Sequence, residues 1–590
     1  MEDPRSARLI AISQQADAAI SRADLAWSSS VIDFIATSPL EISALVLSHL
    51  DNCDLKALRL TCNKLANLVR PHLRFKRVFI SASPLNVQVF RAIAKDDTFR
   101  RDVREIIWDD ARYEMPPPPD PRMRHLYEDL YDSEDDGDED DEDDRPEKPP
   151  RGVPLWYFRH CKDNIEYLEI RQDNDSGTLP QHLETAKQLE AQLPLDVAYT
   201  HYQELLAEQN KVLSTSADIA AFEWALENDR FPNLKRTTLT PAAHGILFHP
   251  LYPTPAIRAL PYGFNYPLPR GWPVPPKDGD KAMSGDWESE DYKECWRGFR
   301  HVVRILARQK STKIKELIVE GNQIWSGLPC SIFYAPEPCV EYDNLVAVIK
   351  KPGFTILRLS LIVGGQETNN YLAFRNGRLR KALEADLRHF SLETGEDDDL
   401  ENGDYPSHWV RDHFIPLRSV FPVETWKNLA HFGLTRWLVR QSDLLEFLAA
   451  LPQTLRSVEL SFLSFMRRHG KYRDLLFAIR DTLGWQERTA SARPRMLIRD
   501  FPGVPLAGRA VWVEDALQRF LYEDGENPYP IPPQNAVVTG QTITWGPGIL
   551  TVGHGFGMEK DALEPRFERP YESADKLIEM GISRNWKGAF

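Results

Sequence analysis

The chain has 590 residues, a formal charge of −15 at neutral pH, a 42% hydrophobic content and 15 tryptophans. That is enough apolar material for a large core and excludes a chain disordered throughout, while the length exceeds one ordinary domain unless the protein is an elongated repeat array. Eleven acids and no base fall in Asp132 to Asp144, leaving only −4 on the rest, so no general charge excess points to nucleic acid or a membrane surface, and no run of about 18 apolar residues signals a membrane span.

Six cysteines (Cys53, Cys62, Cys161, Cys295, Cys330 and Cys339) are spread without a CxxC pair, and the opening MEDPRSARLIAISQQADAAI has no apolar signal-peptide core. Reduced thiols in the cytosol or nucleus follow, and a secreted protein does not. Residues 1–35 read as a bracing helical segment, with Leu9, Ile12, Ala16, Ala19 and Ile20 on one stripe and an interruption at Ser28 to Ser30.

Ser38 to Phe79 is apolar at helical spacing and broken by turn residues into about three small helices. Pro39 suits a first helical turn. Ile42, Leu45, Val46 and Leu50 recur at steps of three and four, and Leu47 widens their face. Asp51-Asn52 is a capping signal for a second run through Leu55, Leu58, Cys62, Leu65 and Val69, which Pro71 ends. A unit this small needs a partner surface to complete its apolar burial.

The segments Ser38-Pro39-Leu40-Glu41-Ile42, Val46-Leu47-Ser48-His49-Leu50, Asp54-Leu55-Lys56-Ala57-Leu58-Arg59 and Cys62-Asn63-Lys64-Leu65 resemble, in order and spacing, the F-box of ubiquitin-ligase adaptors. Ser38 replaces the usual leading leucine, a contact that Phe34 or Ile35 could supply, and Asn63 pushes the lysine one place on. The resemblance covers residues 36 to about 80. It implies docking, through mainly apolar contacts, on the small Skp-type adaptor of a cullin-RING ligase. By position it assigns Pro39, Ile42, Leu45, Leu47, Leu50, Leu55, Leu58, Cys62 and Leu65 to lining that interface or holding its helices together.

From Lys76 onward short β-like stretches recur: Val78 to Ile80, Val103 to Trp108, Ile165 to Ile170, Leu234 to Leu239, Ile314 to Val319, Phe354 to Leu361, Leu429 to Leu434, Leu455 to Leu460 and Met496 to Ile498. Helical stretches lie between several of them: Asn86 to Arg101, Leu183 to Leu213, Ile219 to Asn228, Tyr292 to Gln309, Ser442 to Leu451 and Tyr472 to Leu483. The alternation predicts an α/β (α+β) chain in which the F-box precedes an irregular leucine-rich-repeat-like solenoid over 81–527. Spacing is looser than the regular repeat of about 20–29 residues, and Asn322 is the one good turn asparagine. The layout resembles fungal F-box proteins with degenerate leucine-rich repeats.

Insertions interrupt this array. Residues 115–154 are proline-rich around the acidic tract, which reads as a solvated, disordered linker. Its functional alternative is an electrostatic lure for a basic substrate, with Ser133 placed for an acidophilic kinase. Residues 250–290 hold a Pro/aromatic stretch with Tyr252, Tyr262, Phe264, Tyr266 and Trp272. It reads as a long loop packed over a concave surface by its own rings, and otherwise as a polyproline ligand. A third, acidic insertion spans Thr394 to Asp404. Residues 528–590 form a C-terminal extension with a β-like Ala536 to Trp545, a turn at Gly553 to Gly557 and a helix near Ser573 to Met580.

No nucleophile elbow, H-E-x-x-H, phosphate loop or metal-ligand spacing emerges. The chain is therefore expected to be non-enzymatic and without cofactor, and the F-box resemblance implies a substrate receptor joined to cullin through the Skp-type adaptor, holding an unidentified protein substrate. The alternative is an adaptor-binding scaffold acting outside a ligase.

Overall fold

Among the residues that the computed structural model describes (34, 37–114, 148–172, 180–274, 282–309, 313–321, 324–364, 371–395, 414–466, 468–500, 509–529 and 551–554), nine short strands form one parallel sheet in chain order. They are β1 (Arg77–Ser81), β2 (Glu105–Asp109), β3 (Arg236–Thr240), β4 (Glu316–Val319), β5 (Ile356–Ile362), β6 (His389–Thr394), β7 (His431–Thr435), β8 (Ser457–Ser461) and β9 (Arg495–Leu497). A two-residue strand at Leu328–Pro329 adds to β5.

The register runs straight across, so equivalent positions form columns. One column reads Val78, Ile106, Thr237, Leu317, Leu357, Phe390, Phe432, Val458 and Met496, all buried. Side chains alternate along a strand, so Ile80, Trp108, Leu239 and their neighbours two positions on share that face. Helices cover it. Phe432 meets Phe447 of α12 (Gln441–Ala450) at 4.7 Å, and Trp108 meets Phe222 of α8 (Ala217–Glu227) edge-on at 5.7 Å.

The remaining helices relevant to the architecture are α1 (Leu40–Ser48), α2 (Asn52–Arg59), α3 (Asn63–Val69), α4 (Pro84–Lys95), α5 (Leu155–Gln172), α6 (Pro180–Glu190), α7 (Leu195–Thr215), α9 (Arg297–Arg308), α10 (Val340–Ile349), α11 (Arg378–Leu383), α13 (Tyr472–Thr482) and α14 (Glu514–Tyr522). The described residues divide into two compact units. One holds the chain up to Lys76 with 93–103 and 230–233, and the other holds the sheet and the rest.

Several expectations need correction. Ile165 to Ile170 is not a strand but part of the C-terminal half of α5. Its six residues match either period, and burial of Tyr157, Cys161 and Leu168, spaced by four and seven, decides for the helix. The stretch Leu183 to Leu213 is two helices, because Pro194 stands at the N-cap of α7 in extended geometry. The run Leu55 to Val69 is likewise two helices, separated where Cys62 adopts φ −158°, ψ 159°. Asp51 holds the N-cap position of α2 without a capping side-chain bond. Strand β6 and helices α5, α10, α11 and α14 were not anticipated. Gly553 and His554 belong to a strand, Thr551–His554, antiparallel to Arg509–Trp512, rather than a turn. Residues 1–33, the acidic tract, Asn322, Ala536 to Trp545 and Ser573 to Met580 lie outside the described residues.

The Pro/aromatic segment packs through its rings. Tyr252 lies against Phe79 and under the Arg77 guanidinium, and its hydroxyl donates to Glu320 Oε1 at 2.6 Å. It also joins Ile107 and Ala243 in an apolar cluster. Phe79 and Ile107 occupy the column opposite the helix-covered face, so the segment covers the β1–β2 end of the other sheet face. Trp272 Nε1 donates to Asp110 at 2.8 Å, and Asp110 also accepts from the Gly298 amide at 3.0 Å. A Cβ at Gly298 would stand 2.2 Å from Trp108 Nε1, so only glycine fits there.

Candidate functional site

The three N-terminal helices close on a small core of their own. Leu47, Leu55, Leu65, Val69 and Leu73 are buried together, with Val46, Leu50, Leu58, Leu68, Phe75 and Phe99 packed around them. Asn52 ties α2 to the chain beyond α3, exchanging hydrogen bonds with both backbone groups of Arg74. Phe75 meets Phe99 edge-on at 5.0 Å, and Arg70 pairs with Asp96 at 2.8 Å.

This core sorts the nine residues assigned from the resemblance. Leu47, Leu55 and Leu65 are at most 1% exposed; they hold the helices together and present nothing to a partner. Leu50 and Leu58 are half-buried against the same core. Pro39, Ile42, Leu45 and Cys62 face outward. Ile42 and Leu45, one turn apart on α1, lie away from the stripe of buried Ser43 and Leu47.

The structure adds residues that the sequence reading left out of the site. Leu40 is 70% and Leu60 82% exposed, and Phe34 is 56% exposed. Leu40 occupies the variable place of the Pro-x-Glu-Ile stretch, and Leu60 lies just past α2. Neither carries a periodic signal that would have marked it. Fully covering a large apolar side chain is worth about 1.5–3 kcal/mol, so each of these exposed residues leaves part of that unused in the isolated chain.

A small three-helix domain with its own apolar core is the class this arrangement defines. Residues 39–77 match the family model of the F-box domain, so the chain carries an F-box. F-box domains in general bind Skp-type adaptors of cullin-based ubiquitin ligases, and proteins that carry them are in general non-catalytic. No curated protein matches the chain. Among the described residues no helix is long and apolar enough to cross a membrane.

The sheet face turned away from the helices also carries buried polar and charged side chains. Glu105 pairs with Arg77 at 2.7 Å and accepts from Thr238 at 2.6 Å, and Arg236 pairs with Glu316 at 2.6 Å. Farther along, Glu459 pairs with Arg499. Between these, the rings of His389 and His431 stack at 3.9 Å, both Nε2 atoms lie within 3.3 Å of Ser391 Oγ, and His431 Nδ1 is 2.7 Å from Ser457 Oγ. Burial pushes both imidazoles down, His431 to about 4, and the Arg358 charge adds to the effect.

His431 therefore stays neutral in the folded chain while the unfolded chain takes up its proton below about 6.5. Stability is lost as pH falls from there toward 4, by up to about 3 kcal/mol for this ring. Urea midpoints at pH 7.0 and 4.5 check this. The wild type should lose more stability on acidification than His431→Gln, and equal losses would show that the ring contributes nothing.

Proposed function

We propose that this chain is the substrate receptor of a cullin-RING ubiquitin ligase. The outward residues Pro39, Leu40, Ile42, Leu45, Leu60 and Cys62 dock on the Skp-type adaptor, with Leu47, Leu55 and Leu65 as the frame behind them and Leu50 and Leu58 between. The adaptor joins the chain to cullin. The remaining α/β array holds a protein substrate, and ubiquitin transfer is performed by the other subunits. The chain's contribution is proximity, which turns an encounter between substrate lysine and charged conjugating enzyme into an effectively intramolecular step. It needs no catalytic residue or cofactor, and it works in the cytosol or nucleus.

The observation that carries this reading is the combination of a matched F-box with large aliphatic side chains left outside its own core. An irregular leucine-rich-repeat-like solenoid is the reading of the second unit. It is supported by strands that pair in chain order, all parallel, in straight register, as stacked units require.

Co-expression with a Skp-type adaptor and cullin, followed by size-exclusion chromatography, tests the proposal. A stable complex of all three supports the receptor. A complex with the adaptor that never admits cullin supports the scaffold alternative.

A further inference from the structure

Between α9 and the segment leading into α10 lies a pocket of about 560 Å³. Trp287, Pro336, Pro338 and Val340 give it an apolar wall, and Val340 is 57% exposed there. Most of its charges are matched within the protein. Arg300 reaches Glu341 at 3.1 Å and Glu290 at 2.7 Å, and Lys293 reaches Glu290 at 3.1 Å.

Arg304 is the exception. Among the described residues no carboxylate lies within ion-pair distance of it, and its Nε is buried without a hydrogen-bond partner. Among the described residues its one hydrogen bond runs from Nη2 to His301 Nδ1 at 2.7 Å. Burial, and then Arg304 itself, push the His301 imidazole down to about 4, so the ring is neutral and accepts from the guanidinium without offsetting its charge. Half-buried cations normally have a counter-ion, because desolvation without one is costly. Glu288 stands exposed at the rim, where water screens it.

We propose that this pocket binds an acidic side chain of an extended peptide. The anionic group would lie on the Arg304 guanidinium, and a neighbouring apolar side chain would lie against Trp287, Pro338 and Val340. The proposal deepens the receptor reading, on which its biological role rests, by naming the substrate class: a segment in which an acid stands beside an aliphatic or aromatic residue. A carboxylate and a phosphoryl group share the required chemistry, since a guanidinium accepts either in a paired geometry.

The test uses the full chain and fluorescence anisotropy with labelled hexapeptides carrying Glu-Leu, phosphoserine-Leu, Gln-Leu or Ser-Leu at the centre. The acidic peptides should bind at least tenfold more tightly than their neutral counterparts, and the Glu and phosphoserine arms tell which anion is preferred. Arg304→Gln should weaken acidic binding at least tenfold, and Arg304→Lys less. Val340→Glu, at an exposed position, should weaken it without affecting the fold. Equal affinity for acidic and neutral peptides, or acidic binding unchanged in both Arg304→Gln and Val340→Glu, overturns the pocket. Adaptor co-purification measured on the same samples separates the two ideas. Its loss in the wild type would sink the receptor reading alone, and peptide failure with the adaptor retained would sink the pocket alone.

Discussion

Ile42→Asp combined with Leu45→Asp should abolish co-purification with the Skp-type adaptor, lowering affinity at least ~100-fold, while the thermal midpoint of the chain stays within about 2 °C of the wild type. The asymmetry comes from where the two side chains sit. Ile42 is 45% and Leu45 59% exposed, so charge at either costs the folded chain little, within about 0.5 kcal/mol. In a docked complex each would place a carboxylate in an apolar contact, and a central apolar anchor is worth around 2 kcal/mol or more. Leu50, also assigned to the interface, is a poorer choice because it packs on the F-box core. Leu47→Ala provides the contrast. That residue is fully buried, so truncation should cost about 2–5 kcal/mol and lower adaptor binding by loosening the helices. Pull-down paired with thermal denaturation distinguishes the two. If Ile42→Asp/Leu45→Asp binds as well as the wild type, the outward face of α1 is not the docking surface.

The second large effect is expected at Arg297→Met, which should destabilise the sheet-bearing unit by about 3–5 kcal/mol. Arg297, the first residue of α9, makes two parallel hydrogen bonds to Asp218 near the start of α8, at 2.6 and 3.0 Å. Their side chains are 7% and 1% exposed. Removing the guanidinium leaves a carboxylate buried without its cation, and that penalty exceeds what the pair contributes relative to apolar packing. The double variant Arg297→Met/Asp218→Leu should therefore recover most of the loss. Urea denaturation of the wild type, the single variant and the double variant checks this. A single variant no less stable than the wild type would mean the pair is not holding α8 to α9.

The elements that were readable from sequence share a physical reason. VREIIW and LKRTTL each hold β-branched residues within a short run, and both are strands that begin two residues past the start of the pattern. HFSLET escaped because His389 and Ser391 sit at its outward positions and dilute the apolar signal, while Phe390 and Leu392 carry the buried column. IEYLEI misled because six residues fit both periods, and the tertiary core of α5 made the choice. The docking unit was legible as a pattern, but its division into frame and face was not. Whether Leu47 or Leu45 points inward depends on how three helices close on one another. The acid-binding pocket is assembled from α9, the loop at Trp287 and the approach to α10, and no local motif announces Arg304.

In the function we propose, this chain brings a protein to a ubiquitin ligase through its F-box. The most direct measurement is quantitative proteomics of ubiquitin-modified peptides and protein abundance in cells expressing either the wild type or Ile42→Asp/Leu45→Asp. The receptor account predicts a small set of proteins that bind both forms of the chain, lose ubiquitin modification with the variant and accumulate. A proteome in which the bound proteins show the same modification and abundance with both forms would contradict it.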